Sequence, residues 1–151
     1  MALEDDIQVL SRVRLFEGLT HEQLRLLAFG AETVRLTKGR DLFREDTAAD
    51  CAYVVTRGLI TLYRTVDGQR SPLRQVEPGE ALDEMALIVH IRRKSGAFAE
   101  EESEVIRLNR SLFRRIMEEY PEIAVMLRDR FAAEFTDMVD RISVLSSRFE
   151  S

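Results

Sequence analysis

The chain has no tryptophan, a single cysteine and only three prolines in 151 residues, and each scarcity closes off a class of protein. One thiol, Cys51, makes no disulfide framework and supplies too few thiolates for an iron–sulfur cluster. No apolar run approaches the roughly 20 residues of a membrane-spanning helix. The N-terminus, Met1-Ala2-Leu3-Glu4-Asp5-Asp6, is acidic, whereas a secretory leader starts basic and continues apolar. A cytoplasmic protein without membrane association is therefore expected. A basic excess is missing as well: the net charge is −5, which argues against a dedicated nucleic-acid-binding domain. So are catalytic signatures, since there is no glycine-rich phosphate loop, serine elbow or paired-histidine metal motif. The two histidines, His21 and His90, are not spaced to share a metal or a haem. Asp83 and Glu84 adjoin, but neighbouring carboxylates are common on surfaces and imply no acid–base pair. No catalytic residue, metal or cofactor is expected, and the chain reads as non-enzymatic.

What is present falls into three zones. In the first, Leu3, Ile7 and Leu10 recur at helical spacing, and Phe16-Glu17-Gly18-Leu19 interrupts the pattern. Thr20 with Gln23 three positions on is a capping-box signature, followed by the buried stripe Leu24, Leu27 and Ala28 up to Gly30. The second zone, from about Ala31 to Asn109, reads as short strands divided by turns at Lys38-Gly39, Arg57-Gly58, Asp67-Gly68 and Pro78-Gly79. The run Leu59 to Val66 is rich in β-branched and aromatic residues. It ends in Asp67-Gly68, a hairpin signal because both residues tolerate positive φ, and Ser71 to Val76 pairs back. Turns at such intervals predict a sandwich or barrel. Helical spacing then returns with Leu112, Phe113, Ile116 and Met117.

The third zone opens at Pro121, well placed as the first-turn residue of a long C-terminal helix. Phe131, Phe135, Met138, Ile142, Leu145 and Phe149 follow at alternating spacings of four and three, a heptad seam with charged flanks. So narrow a stripe favours pairing with a second copy of the chain over packing onto the β-body, which wants a wider apolar face. The expected organisation is a β-barrel domain with N-terminal helices over 1–120 and a dimerisation helix over 121–151.

The order of these elements resembles the cyclic-nucleotide-binding domain of the catabolite-activator (Crp-Fnr) type. Leu15 to Thr20 resembles the family's opening helix turn, and Lys38 to Glu45 its glycine turn and next strand. Ala52 to Gly58 resembles the strand before the central hairpin, while Pro78-Gly79-Glu80 and Glu84-Met85-Ala86-Leu87 resemble the start of its phosphate-binding cassette. The resemblance implies a mainly β fold, a double-stranded β-helix (jelly-roll-like) barrel with flanking helices, in a bacterial regulator. It also implies roles for residues. Glu84 would accept from a ribose hydroxyl, Arg93 would hold the cyclic phosphate, and Met85 and Ala86 would supply backbone donors at a helix N-terminus.

The departures from the family pattern carry equal weight. Asp83 stands where the family usually has glycine, bringing a negative charge and a Cβ towards the phosphate. Arg92 replaces a common proline and Lys94 a hydroxyl residue, and Ser95 could substitute only with a one-residue shift. Ala97-Phe98-Ala99, after Gly96, replaces a strand that is usually β-branched. Three functions stay open. The chain is a stand-alone sensor of cAMP, cGMP or a more anionic cyclic dinucleotide, signalling through its C-terminal helix. Or it is a degenerate dimer that binds a protein partner without nucleotide, with Glu84 and Arg93 as a vestigial internal ion pair. Or it is the sensor part of a transcription regulator. If Ser151 ends the protein, no residues remain for a helix-turn-helix and no direct DNA binding is expected.

Overall fold

The capping box sets the entry to the fold. In a computed structural model, which describes residues 2–130 and 132, the Gln23 amide donates to Thr20 Oγ1 (3.1 Å) and the Thr20 amide to Gln23 Oε1 (2.9 Å). Two of the otherwise orphaned N–H groups at the start of helix α2 (His21–Gly30) are thereby satisfied. Helix α1 (Ala2–Ser11) precedes it, joined by a single 3₁₀ turn at Arg14–Phe16.

Ten strands follow: β1 (Glu32–Leu36), β2 (Asp41–Phe43), β3 (Ala48–Ala49), β4 (Cys51–Arg57), β5 (Ile60–Val66), β6 (Gln69–Val76), β7 (Ala81–Leu82), β8 (Ile91–Arg92), β9 (Gly96–Ala99) and β10 (Ser103–Asn109). They form two four-stranded antiparallel sheets, ordered β1-β10-β4-β7 and β2-β9-β5-β6, with β3 and β8 as a separate pair. Each sheet draws strands from early and late in the zone, which is the jelly-roll arrangement the sequence suggested. Helix α3 (Arg110–Glu119) leaves β10 directly.

Strand β4 shows how the core is divided. Cys51, Tyr53 and Val55 point into the barrel among Leu36, Ile60, Val76, Leu82, Ala97, Ala99 and Val105. The intervening Ala52 and Val54 pair with Leu108 and Ile106 of β10 and are equally buried, on the sheet face that α1 covers. A strand buried on both faces reads as a continuous apolar run, as Cys51 to Val55 does. Strand β6 is the opposite case, exposed along almost its whole length at the edge of its sheet. An edge is where a strand proline is tolerated, and the register shifts between Leu62 and Tyr63, close to Pro72.

The small residues of β9 also have a packing reason. Gly96 lies opposite Tyr63, whose ring occupies the space a Cβ at Gly96 would need. Tyr63 in turn packs at a tilt against Phe98 (5.8 Å between centroids) and carries the Arg70 guanidinium 4.3 Å above its ring.

The chain divides into two compact units, Met1–Ile116 and Met117–Ser151. The first holds the barrel. In the second, a helix spans 121–130 with Pro121 as its first residue, and Ile123 and Leu127 are buried. The heptad seam from Phe131 through Phe135, Met138, Ile142 and Leu145 to Phe149 lies outside the described residues.

Candidate anion site at Arg93

Strand β7 ends at Asp83, which adopts the left-handed conformation (φ 55°, ψ 47°). Aspartate enters that region more readily than most L-residues because its short polar side chain bonds locally. The reversal launches a 3₁₀ turn at Glu84–Leu87, closed by the Ala86 amide donating to the Asp83 carbonyl (2.9 Å) and by the Ile88 and Val89 amides donating to Met85 (3.0 Å each). The Ala86 N–H, expected to face a phosphate, is thus used inside the turn. Met85 is exposed, Ala86 is fully buried and Glu84 is half-buried.

The basic triplet splits where strand β8 ends. Arg92 turns outward, its Nε donating to Asp46 Oδ1 (2.8 Å) and its Nη2 to the Asp46 carbonyl. Lys94 is exposed and Ser95 half-buried. Arg93 turns inward. Its backbone is held by the Thr47 carbonyl and the Asp46 amide (2.8 Å each), and its side chain is 3% exposed. Nη1 donates to Asp83 Oδ2 at 2.8 Å, and Nη2 donates to the Cys51 carbonyl at 3.0 Å, with the Cys51 sulfur at 3.2 Å. The guanidinium lies 4.4 Å from the Phe43 ring and 5.4 Å from that of Tyr53, two rings that stack on each other. A buried guanidinium needs both a counter-charge and saturated donors. Asp83 supplies the charge, Cys51 an acceptor and the rings a polarisable bed.

The interior electrostatics follow from this arrangement. Burial, then the adjoining Cys51, pushes the Tyr53 phenol up to about 12, against the opposing influence of Arg107 and Arg93. A hydrogen bond from Arg107 Nε to the Cys51 sulfur (3.4 Å) raises Arg107 above its ordinary value despite burial. Cys51 itself is buried.

Sequence reasoning missed Arg110. As the first residue of α3, it donates from Nε to the Ala86 carbonyl (2.7 Å) and from Nη2 to the Ala49 carbonyl (2.6 Å), while Nη1 meets His90 Nδ1 (2.9 Å). It ties the turn after Asp83 to the helix that leaves the barrel. One signal was available: a cation at a helix N-terminus opposes the helix dipole and so calls for a local reason. Among the described residues no group of three or more His, Cys, Asp or Glu is placed to hold a metal ion, and no helix is long and apolar enough to cross a membrane.

A jelly roll that sets an inward arginine against a short helical turn, between flanking helices, defines the class of β-roll regulatory domains. The family model of the cyclic nucleotide-binding domain matches residues 33–120, and the chain belongs to that family. It is similar to a cyclic nucleotide-binding-like protein from Brucella abortus, with 56% identity, 76% of this chain and 98% of that chain covered, and a TM-score of 0.71. It is also similar to the N-terminal domain of a transcriptional regulator from Streptomyces coelicolor, at 31% identity, with 89% and 94% covered and a TM-score of 0.83. Lysophospholipase nte1 from Neurospora crassa is 25% identical over 89% of this chain, but the chain spans only 9% of that protein's length.

Proposed function

We propose that the chain is a regulatory module of the cyclic-nucleotide-binding type that works without a cyclic mononucleotide, because the Asp83 carboxylate takes the anion's place on Arg93 from within. The observation that carries this reading is the 2.8 Å pair between Arg93 Nη1 and Asp83 Oδ2, with the arginine 3% exposed. A cyclic phosphate carries one negative charge, as does the carboxylate it must displace, so the exchange gains little electrostatically. The tethered carboxylate also competes at an effective concentration on the order of millimolar or more. A nucleotide at micromolar concentration loses that competition. The module then acts through protein contacts, with the Phe131-to-Phe149 seam joining two copies.

Calorimetric titration of the full chain with cAMP, cGMP and a cyclic dinucleotide tests this. No heat is expected from the native protein, and Asp83→Gly is expected to create binding. Submicromolar binding of cAMP or cGMP to native protein refutes it. One second reading has specific support: Glu84 and Arg93 both keep the positions that resemble the family's ribose and phosphate residues. In that reading a cyclic nucleotide displaces Asp83 and signals by moving the turn that Arg110 ties to α3, and the same native titration decides between the two.

A further inference from the structure

The turn after Asp83 presents apolar side chains to two sides. The Val89 amide donates to the Met85 carbonyl at 3.0 Å, an i→i+4 bond that closes one helical turn. Residues four apart on such a turn share a face. Met85 and Val89 do so, at 39% and 42% exposed, while Ala86 and Leu87 between them are buried in the domain. The core takes the inward pair and leaves the outward pair uncovered.

The charge beside this face is one-sided. Arg110 Nε donates to the Ala86 carbonyl at 2.7 Å, which sets a cation against the same turn. Its other acceptors, the Ala49 carbonyl and the His90 ring nitrogen, are neutral. Arg114 follows one turn along α3 and is exposed. Among the described residues neither arginine makes an ion pair. The neighbouring carboxylates are engaged: Asp83 on Arg93, Asp50 on Arg107, and the half-buried Glu84 within the chain. The acidic residues of α3, Glu118 and Glu119, come only at its end.

An apolar pair with cations on one flank is complementary to a helix that carries leucines at i and i+4 and glutamates beside them. A protein suits the face better than a lipid surface does, because the chain as a whole carries a net charge of −5 and is repelled by an anionic membrane. We propose that Met85 and Val89, flanked by Arg110 and Arg114, form the docking surface for an acidic amphipathic helix of a partner protein. The proposal rests on the reading that the module acts through protein contacts, and it names their chemistry.

Amide chemical shifts of the full chain, followed by NMR without nucleotide, test it with two probes: a synthetic amphipathic helix of leucine and glutamate, and its counterpart with lysine for glutamate. Saturable shifts are expected at Met85, Val89, His90 and Arg110 with the acidic helix only, weakening as salt is raised. Val89→Asp and Arg114→Glu, both at exposed positions, should each weaken binding roughly tenfold. Arg114→Glu should also admit the lysine helix. No saturable shifts, equal binding of the two helices, or binding indifferent to both variants overturns the proposal. So does binding to phosphatidylglycerol vesicles in place of the helix, which assigns the face to a membrane. Shifts at these residues that grow with protein concentration alone assign it to a second copy and overturn the proposal as well. Failure of the nucleotide-independent reading is read separately, as shifts at Asp83 and Arg93 on adding cAMP to the native chain without helix.

Discussion

Replacing Asp83 by glycine separates the two forces that meet at this residue. The substitution removes the carboxylate 2.8 Å from Arg93 and at the same time relieves a left-handed backbone at φ 55°. Removing one partner of a buried ion pair costs about 3–5 kcal/mol, because the other charge is left uncompensated. The lower end applies here, since Asp83 is 27% exposed and Arg93 keeps the Cys51 carbonyl and two aromatic rings. Relief of the left-handed conformation returns about 1 kcal/mol, and the extra freedom of glycine in the unfolded chain takes back about 0.5–1 kcal/mol. The net expectation is a loss of about 2–4 kcal/mol in urea unfolding. Asp83→Asn, which keeps an acceptor and tolerates the same backbone, should lose less. An anion binding the vacated place should restore stability in the glycine variant alone, by about 2.7 kcal/mol at a hundredfold excess over its Kd. A glycine variant within about 0.5 kcal/mol of native, with no recovery in phosphate or cAMP, would falsify the premise that the pair governs the site.

Three further outcomes follow from particular contacts. Tyr53 titrates near 12 when folded and near 10 when unfolded, so its contribution is fully present below pH 10 and is lost as the pH rises through 12. The urea midpoint should therefore fall across that window, and Tyr53→Phe should flatten the fall while changing little at pH 7. Gly96→Ala drives a methyl into the Tyr63 ring and should cost about 1–3 kcal/mol by overpacking, measured by thermal unfolding. Arg110→Gln should speed hydrogen exchange at the Ala86, Ile88 and Val89 amides, which close the turn, while leaving β4 and β10 protected. Equal acceleration in β4 would show that the residue supports the barrel as a whole.

The elements that were legible in the sequence carried their own local physics. Thr20 with Gln23, the β-branched run before Asp67-Gly68, and Pro121 each announce themselves by chemistry confined to a few residues, and each stands where it was read. The two-residue strands β3, β7 and β8 had no such signal, because their pairing is set by distant partners: Ala48 by Arg92, Ala81 by Val54. The cassette was legible by resemblance, and Asp83 was singled out as a charge near the phosphate position. What the sequence could not supply was direction. Of Arg92, Arg93 and Lys94 only the middle cation turns inward, and only the fold brings Cys51 and Asp83 to it. The alternative of an internal ion pair was framed between Glu84 and Arg93, whereas the pair the structure shows is one residue earlier, at Asp83.

That pairing also bears on descent. Neither Asp83 nor Arg93 can drift alone, because either single change strands a charge in the interior, while exchanging both for apolar residues of similar bulk is close to neutral. Lineages should therefore keep the two or lose the two together. On the proposed reading, a glycine at position 83 beside a retained arginine leaves the missing charge to an external anion or to a less stable domain. On the proposed reading, the residue at that one position, compared across relatives, would separate copies that take an external anion from those that carry the charge within the chain.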